Sequence, residues 1–300
     1  MPTRTLHLPV SQPFELRLCL FGHGWIALAP HGFDEASQTF TTVLRLGDDA
    51  VDATLRQAKK DELELRLESA RPLAAATTRA AGRQIAHMLR LYDDLGAFHA
   101  VCRQEPSLRW AARRGAGRLM RSATVFEDLM KLLFTTNTTW AGTEAMTRNL
   151  VAAAGSLAPS GARAFPSPQQ CLREPGFYRE VVRTGYRADA AVALATGFVE
   201  GRLTDNQFLQ EQSAQELWDR LLSLRGFGPY AAGQAMRLLG HYDKLALDSW
   251  CRARLAELEG KRKPPADRTV ERRYAKWAPF QGLALWLDLT ADWHGEGRSP

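Results

Sequence analysis

The stretch ELWDRLLSLRGFGPYAAGQAMRLLG, residues 216–240, constrains the fold more than any other part of the chain. Apolar residues recur at three- and four-residue steps before Arg225 and again after Pro229, the period of an amphipathic helix. Between the two runs stand Gly226 and Gly228. Glycine admits positive φ and lets a neighbouring chain approach its backbone closely. Pro229 suits the first turn of a second helix, where a missing N–H costs nothing. The segment therefore predicts helix, tight turn, helix. Amides in such a turn and at the helix start point outward and attract a phosphate. A plain helical hairpin, in which the glycines serve only to turn the chain, has the same pattern.

The region up to Pro72 has a different period. FELRLCL puts Phe14, Leu16, Leu18 and Leu20 on one face and Glu15, Arg17 and Cys19 on the other. WIAL, FTTVLRL, VDATLR and LELRLES follow, separated by Gly, Asp and Pro clusters. Alternation at hairpin spacing predicts a small antiparallel β domain over residues 1–72. From about residue 74 the pattern turns helical and stays so. VFEDLMKLLF is preceded by Thr124, placed as its N-cap. The fold class expected is α+β, with a mainly helical domain over 73–300 and the hairpin at about 215–240.

Composition narrows the function classes. An apolar fraction of 45% and a charged fraction of 24% over 300 residues are those of a globular protein with real cores. A net charge of +6 makes a polyanion a reasonable partner. Cys19, Cys102, Cys171 and Cys251 are scattered without a C-x-x-C pair. They support no disulfide framework, zinc site or iron–sulfur cluster. The seven histidines are dispersed and suggest neither metal nor triad. MPTRTLHLPV has no continuous apolar core and no run reaches about eighteen apolar residues, so a cytoplasmic setting without a membrane is expected. Two basic stretches, RWAARRGAGRLMR and GKRKPPADRTVERR, are either solvated faces or phosphate contacts. Nothing in the composition requires a dimer, and a monomer is expected.

LRGFGPYAAGQAM followed by LALDSW resembles the helix-hairpin-helix DNA glycosylase superfamily, whose signature is L-x-G-[IV]-G-x-x-[ST]-A with an essential aspartate about twenty residues on. Asp248 lies 20 residues after Gly228, and Phe227 replaces the usual Ile or Val. VFEDLMKLLFTTNTTWAGTEAM, AFPSPQQCL, TGYRADAAVALA and KWAPFQGLALWLDLTADW are similar to other segments of that superfamily. The N-terminal β domain matches the layout of the 8-oxoguanine and 3-methyladenine II branches.

The resemblance implies base-excision repair of double-stranded DNA that contains damaged bases. Asp248 would stabilise the oxocarbenium-like charge on deoxyribose, and its type also suits an N-cap for SWCRARLAEL. Arg225, Gly226, Phe227 and Gly228 would grip a backbone phosphate, with a monovalent cation such as Na or K at the hairpin backbone and no other cofactor. Asn137 falls where 8-oxoguanine enzymes contact the orphaned base. Tyr230 stands where bifunctional members carry a lysine, which implies a monofunctional hydrolase that leaves an abasic site. Tyr230, Gln234, Asp288, Leu285 and Leu289 are the candidate base-pocket residues. Asp288 could pair with a cationic alkylated purine or accept hydrogen bonds from guanine. Alkylated purine stands slightly ahead of 8-oxoguanine as substrate. A non-catalytic DNA-binding protein, and a lyase using Lys244 or the N-terminus, are the rivals.

Overall fold

The computed structural model describes residues 1–210 and 213–296. Five antiparallel strands form one sheet: β1 (Thr3–Pro9), β2 (Gly32–Asp34), β3 (Thr39–Leu46), β4 (Asp49–Lys59) and β5 (Glu62–Glu68), in spatial order β1-β5-β4-β3-β2. The registers Leu6↔Leu65, Leu55↔Leu65 and Ala53↔Leu67 align apolar residues on one face. That face packs against Ala81, Ile85, Ala86 and Met88 of the helix that follows. The sheet and first long helix thus share one core, the two-layer solution open to a sheet with a single apolar face.

The helices are α1 (Leu16–Leu20), α2 (Ala75–Met88), α3 (Gly96–Gln104), α4 (Arg109–Arg114), α5 (Val125–Thr135), α6 (Trp140–Ala154) and α7 (Pro168–Cys171). After them come α8 (Ala188–Val199), α9 (Asp205–Leu209), α10 (Ala214–Ser223), α11 (Pro229–Leu239), α12 (Ser249–Leu258), α13 (Asp267–Tyr274) and α14 (Gln281–Thr290). α5, α6, α8, α10 and α11 contribute to one helical core. α3, α4, α12, α13 and α14 build a second. Among the described residues, no helix is long and apolar enough to cross a membrane.

Three of the expected strands are present, as β3, β4 and β5, and two are not. FELRLCL contains α1, not a strand, because Cys19 is buried beside Leu18 and Leu20. A strand would have turned that thiol to the polar face. WIAL is a 3₁₀ turn, Gly24–Ala27, because its side chains serve the helices and not the sheet. Trp25 and Leu28 enter the core of α5, and Trp25 Nε1 donates to Asp128 Oδ1 at 2.6 Å. The amide of Ser122 donates to the same oxygen at 2.8 Å. Nearby, the buried Lys131 Nζ lies 2.6 Å from Glu127 Oε1 and 3.3 Å from Ser122 Oγ. Burial pushes the Asp128 and Glu127 carboxyls above their ordinary range. Each of these polar groups finds at least one partner inside, and Asp128 Oδ2 alone among their oxygens is buried without one.

Trp25→Phe keeps most of the ring volume and removes the donor to Asp128. It is expected to destabilise the protein by about 1–3 kcal/mol, the cost of a buried polar group losing a partner. Urea unfolding with unchanged m would read this, and an unchanged midpoint would contradict the role given to that bond.

Candidate active site

The hairpin is built as its residues dictate. Ser213 caps α10 in a capping box with Glu216, and Pro229 opens α11 with Gly228 as N-cap. Gly226 has φ +86°, the left-handed region that side chains resist. A Cβ there would also lie 2.8 Å from Leu133 Cδ1 and 3.0 Å from Ala190 Cβ, so the turn is pressed onto α5 and α8. Gly228 differs: its φ is −109° and a Cβ would meet open space. One glycine serves packing and the other leaves its surface bare. Phe227 is buried in the helical core, whereas Arg225 is exposed, 3.4 Å from Asp189 Oδ2.

Tyr230, Gln234 and Arg237 fall at i, i+4 and i+7, on one face of α11. Tyr230 is partly buried beside Thr135, and burial with the nearby Asp248 charge pushes its hydroxyl up to about 12. Asp248 sits at the N-cap of α12, where its Oδ1 accepts from the Cys251 amide at 2.6 Å. Burial, then Asp248, pushes the Cys251 thiol up to about 12, so it is a neutral packing group. The capping interaction fixes the carboxylate at the start of α12, and its charge acts on Tyr230 of α11.

From sequence, Arg237, in the last turn of α11, reads as a solvated, dipole-matching cation. It is only 1% exposed. Its Nη1 donates to Gln234 Oε1 at 3.1 Å and its Nη2 to the Leu245 carbonyl at 2.8 Å, while the buried Nε has no partner. The guanidinium lies 4.9 Å from the Trp286 ring centroid. Trp286 also packs against Trp250 and Trp293, with centroids 5.7 and 5.8 Å away, and both of those are partly exposed. Its Nε1 donates to the Gly22 carbonyl at 2.6 Å, which ties α14 to the segment before Trp25. His23 packs edge-on against Trp25 and tilted against Trp286, and burial lowers its pKa to about 3, so it is neutral.

The remaining pocket candidates are placed differently. Leu285 and Leu289 are fully buried in the second helical core. Asp288 accepts from the Tyr274 hydroxyl at 2.5 Å. Lys244, the candidate amine, lies 3.6 Å from Asp243 and 5.3 Å from the Trp218 ring centroid. Among the described residues, no group of His, Cys, Asp and Glu side chains could hold a metal ion.

A second surface lies at the turn before α6. Asn137 is exposed at φ +44° and its Nδ2 donates to Tyr186 Oη at 3.1 Å. Tyr186 is 66% exposed, with the Arg187 guanidinium 4.5 Å from its ring centroid. Arg187 also donates to the carbonyls of Thr136, Asn137 and Thr184, which fixes the turn. Arg148, Arg183 and Arg187 line an adjacent groove of about 340 Å³. The basic stretch 109–121, in contrast, is largely structural. Arg114 pairs with Glu15 and Glu296, Arg118 donates to the Arg90 carbonyl, and Arg121 donates to the His87 carbonyl. Lys261, Arg262 and Lys263 of the other stretch are exposed.

No protein-family model and no curated protein matches the chain. Solved structures do. MBOgg1 in complex with a low affinity DNA ligand is 18% identical at a TM-score of 0.73, covering 98% of this chain and 100% of that one. The 3-methyladenine DNA-glycosylase from Archaeoglobus fulgidus is 17% identical at 0.73, covering 96% and 98%. The apo 8-oxoguanine glycosylase/lyase from Clostridium acetobutylicum is 16% identical at 0.71, covering 95% of each.

Gly226→Ala is expected to cost about 1–3 kcal/mol through the strained φ and the contacts with Leu133 and Ala190. Gly228→Ala should stay within about 0.5 kcal/mol of the parent. Paired thermal melts decide this, and equal losses would contradict the division of labour between the glycines. With a glycine turn seated on α5 and α8, Asp248 capping α12, and these likenesses over nearly the whole chain, the fold is that of these DNA glycosylase structures.

Proposed function

We propose that the chain is a monofunctional DNA N-glycosylase that hydrolyses the glycosidic bond of a damaged purine. The observation that carries this reading is Asp248, held by the Cys251 amide at the start of α12, 20 residues after a Gly228 whose missing Cβ leaves open space in front of the hairpin backbone. The likeness to 3-methyladenine and 8-oxoguanine glycosylase structures, some in complex with DNA, supports it.

The chemistry follows from charge. Breaking the bond between C1′ and the base nitrogen builds positive charge on the sugar, and a fixed carboxylate stabilises that charge without reorganising. The reacting bond is shielded in a stacked duplex, so the nucleotide leaves the helix first. The amides around Gly228 and the start of α11 would hold a phosphate near that nucleotide, with a monovalent cation completing the hairpin backbone. Tyr186, exposed and braced by Asn137 and Arg187, would fill the vacated stack while Asn137 meets the orphaned base. Tyr230 offers no amine for a Schiff base, and Lys244 is turned to Trp218. Hydrolysis to an abasic site is the consistent outcome. Damage-containing duplex DNA is the proposed partner of a monomeric enzyme.

Single-turnover excision on duplexes carrying hypoxanthine, 3-methyladenine, 7-methylguanine, 8-oxoguanine or uracil tests the proposal. Alkali-dependent breaks on at least one lesion are expected. Asp248→Asn should lower that rate by about 10²–10³-fold, while asparagine preserves the helix cap. Breaks without alkali, or borohydride trapping of a covalent complex, would overturn the hydrolytic route. Gly228→Ala should weaken duplex binding with little loss of stability. Full binding by that variant would remove the hairpin from the interface.

A further inference from the structure

Arg237 is the feature of the site that structural needs explain least. A guanidinium that is 1% exposed, and that makes no ion pair among the described residues, is costly to keep in a core. The chain that leads to Asp248 lies against its helix: Arg237 donates to the Leu245 carbonyl, and a Cβ on Gly233 would lie 2.7 Å from Ala246 Cβ. Yet Arg237 donates to Gln234 and Leu245, and Asp248 accepts from Cys251. The cation and the carboxylate are held as separate charges within one site.

The bond to Gln234 has a directional consequence. Because Gln234 Oε1 accepts from Arg237 Nη1, its amide NH₂ group is left to face elsewhere, as a donor pair only. An amide whose oxygen is held by a cation is polarised, and its N–H groups become stronger donors. Tyr230, one turn earlier on the same face of α11, is next to Asp248. The α11 face that carries Tyr230 thus holds, one turn on, amide donors with a full positive charge behind them.

From this arrangement we infer that Arg237, acting through Gln234, is a positioning residue that selects neutral damaged purines with a hydrogen-bond acceptor on the base edge over cationic N-alkylated ones. The inference rests on the reading of the chain as a glycosylase. A cationic purine leaves as a neutral molecule, gains nothing from a donor backed by a cation, and is repelled by that cation. A neutral purine departs with the bonding electron pair. As the C1′–N9 bond breaks, the pair stays on N9 and the charge spreads through the ring to the acceptor facing Gln234. The sugar becomes cationic beside Asp248. Water oxygen then bonds to C1′, and the proton it releases passes through Asp248 to the departing base, so both products are neutral. Opposite charges on the two sides of the breaking bond match the charges that develop there.

The test is a ratio of single-turnover rates. Hypoxanthine, 1,N6-ethenoadenine and 8-oxoguanine serve as neutral lesions, and 7-methylguanine and 3-methyladenine as cationic ones. The wild-type protein should excise at least one neutral lesion faster than either cationic lesion. Arg237→Met should lower the neutral-to-cationic ratio by about tenfold or more, and Arg237→Lys should restore much of it. Gln234→Leu, which leaves the buried charge in place, should lower the same ratio if Arg237→Met does not fold. Equal loss on both lesion classes would make Arg237 merely structural and overturn the inference. So would a wild-type preference for the cationic lesions, which leaves the glycosylase reading standing. Failure of the wild-type protein to excise any lesion would defeat that reading itself, and this inference with it.

Discussion

The pressure of Gly226 against α5 and α8 sets the geometry of everything that follows it. Its left-handed backbone lets the turn lie against Leu133 and Ala190, closer than any side chain would permit. That contact fixes where α11 begins. The start of α11 fixes Tyr230, Gln234 and Arg237 along one face, and the chain then returns so that Asp248 caps α12 beside them. A hairpin seated further out would carry the same residues without bringing them to one place. Phe227 reinforces the seat by burying its ring in the same core.

A second dependence runs through the segment between α1 and β2. Trp25 reaches Asp128 on α5, Trp286 on α14 reaches back to the Gly22 carbonyl, and His23 packs between the two indoles. One short loop thus joins the sheet layer to both helical cores. Trp140, at the start of α6, closes against Gly24, so the loop also supports the turn that presents Asn137. The N-terminal region is therefore part of the frame around the site, joined to it by side chains as well as by the chain itself.

Much of this could be read from sequence, for reasons that particular residues make plain. The hairpin was legible because Gly226, Gly228 and Pro229 break a strong helical period in a pattern that few structures use. Thr124 as N-cap was legible because its hydroxyl meets the Glu127 amide, a purely local interaction. The strand β1 was not legible. It lies at a sheet edge with most of its residues exposed, so it carries little apolar alternation. α1 and the Trp25 turn were not legible either, because short apolar runs fit either period and long-range partners decide between them. Arg237 was illegible for a related reason. Its spacing of seven from Tyr230 was visible, but its burial depends on Leu245, Trp286 and Asp248, which arrive from later in the chain.

The central claim is that the hairpin, Asp248 and the exposed Tyr186–Asn137 pair act together on one nucleotide drawn out of a duplex. 2-Aminopurine placed next to a lesion reports unstacking directly, through its fluorescence. Binding of Asp248→Asn protein, which keeps the fold without turnover, should raise that fluorescence, and adding Tyr186→Ala should abolish most of the rise while the protein stays bound. A duplex that remains fully stacked under saturating Asp248→Asn protein would contradict the account.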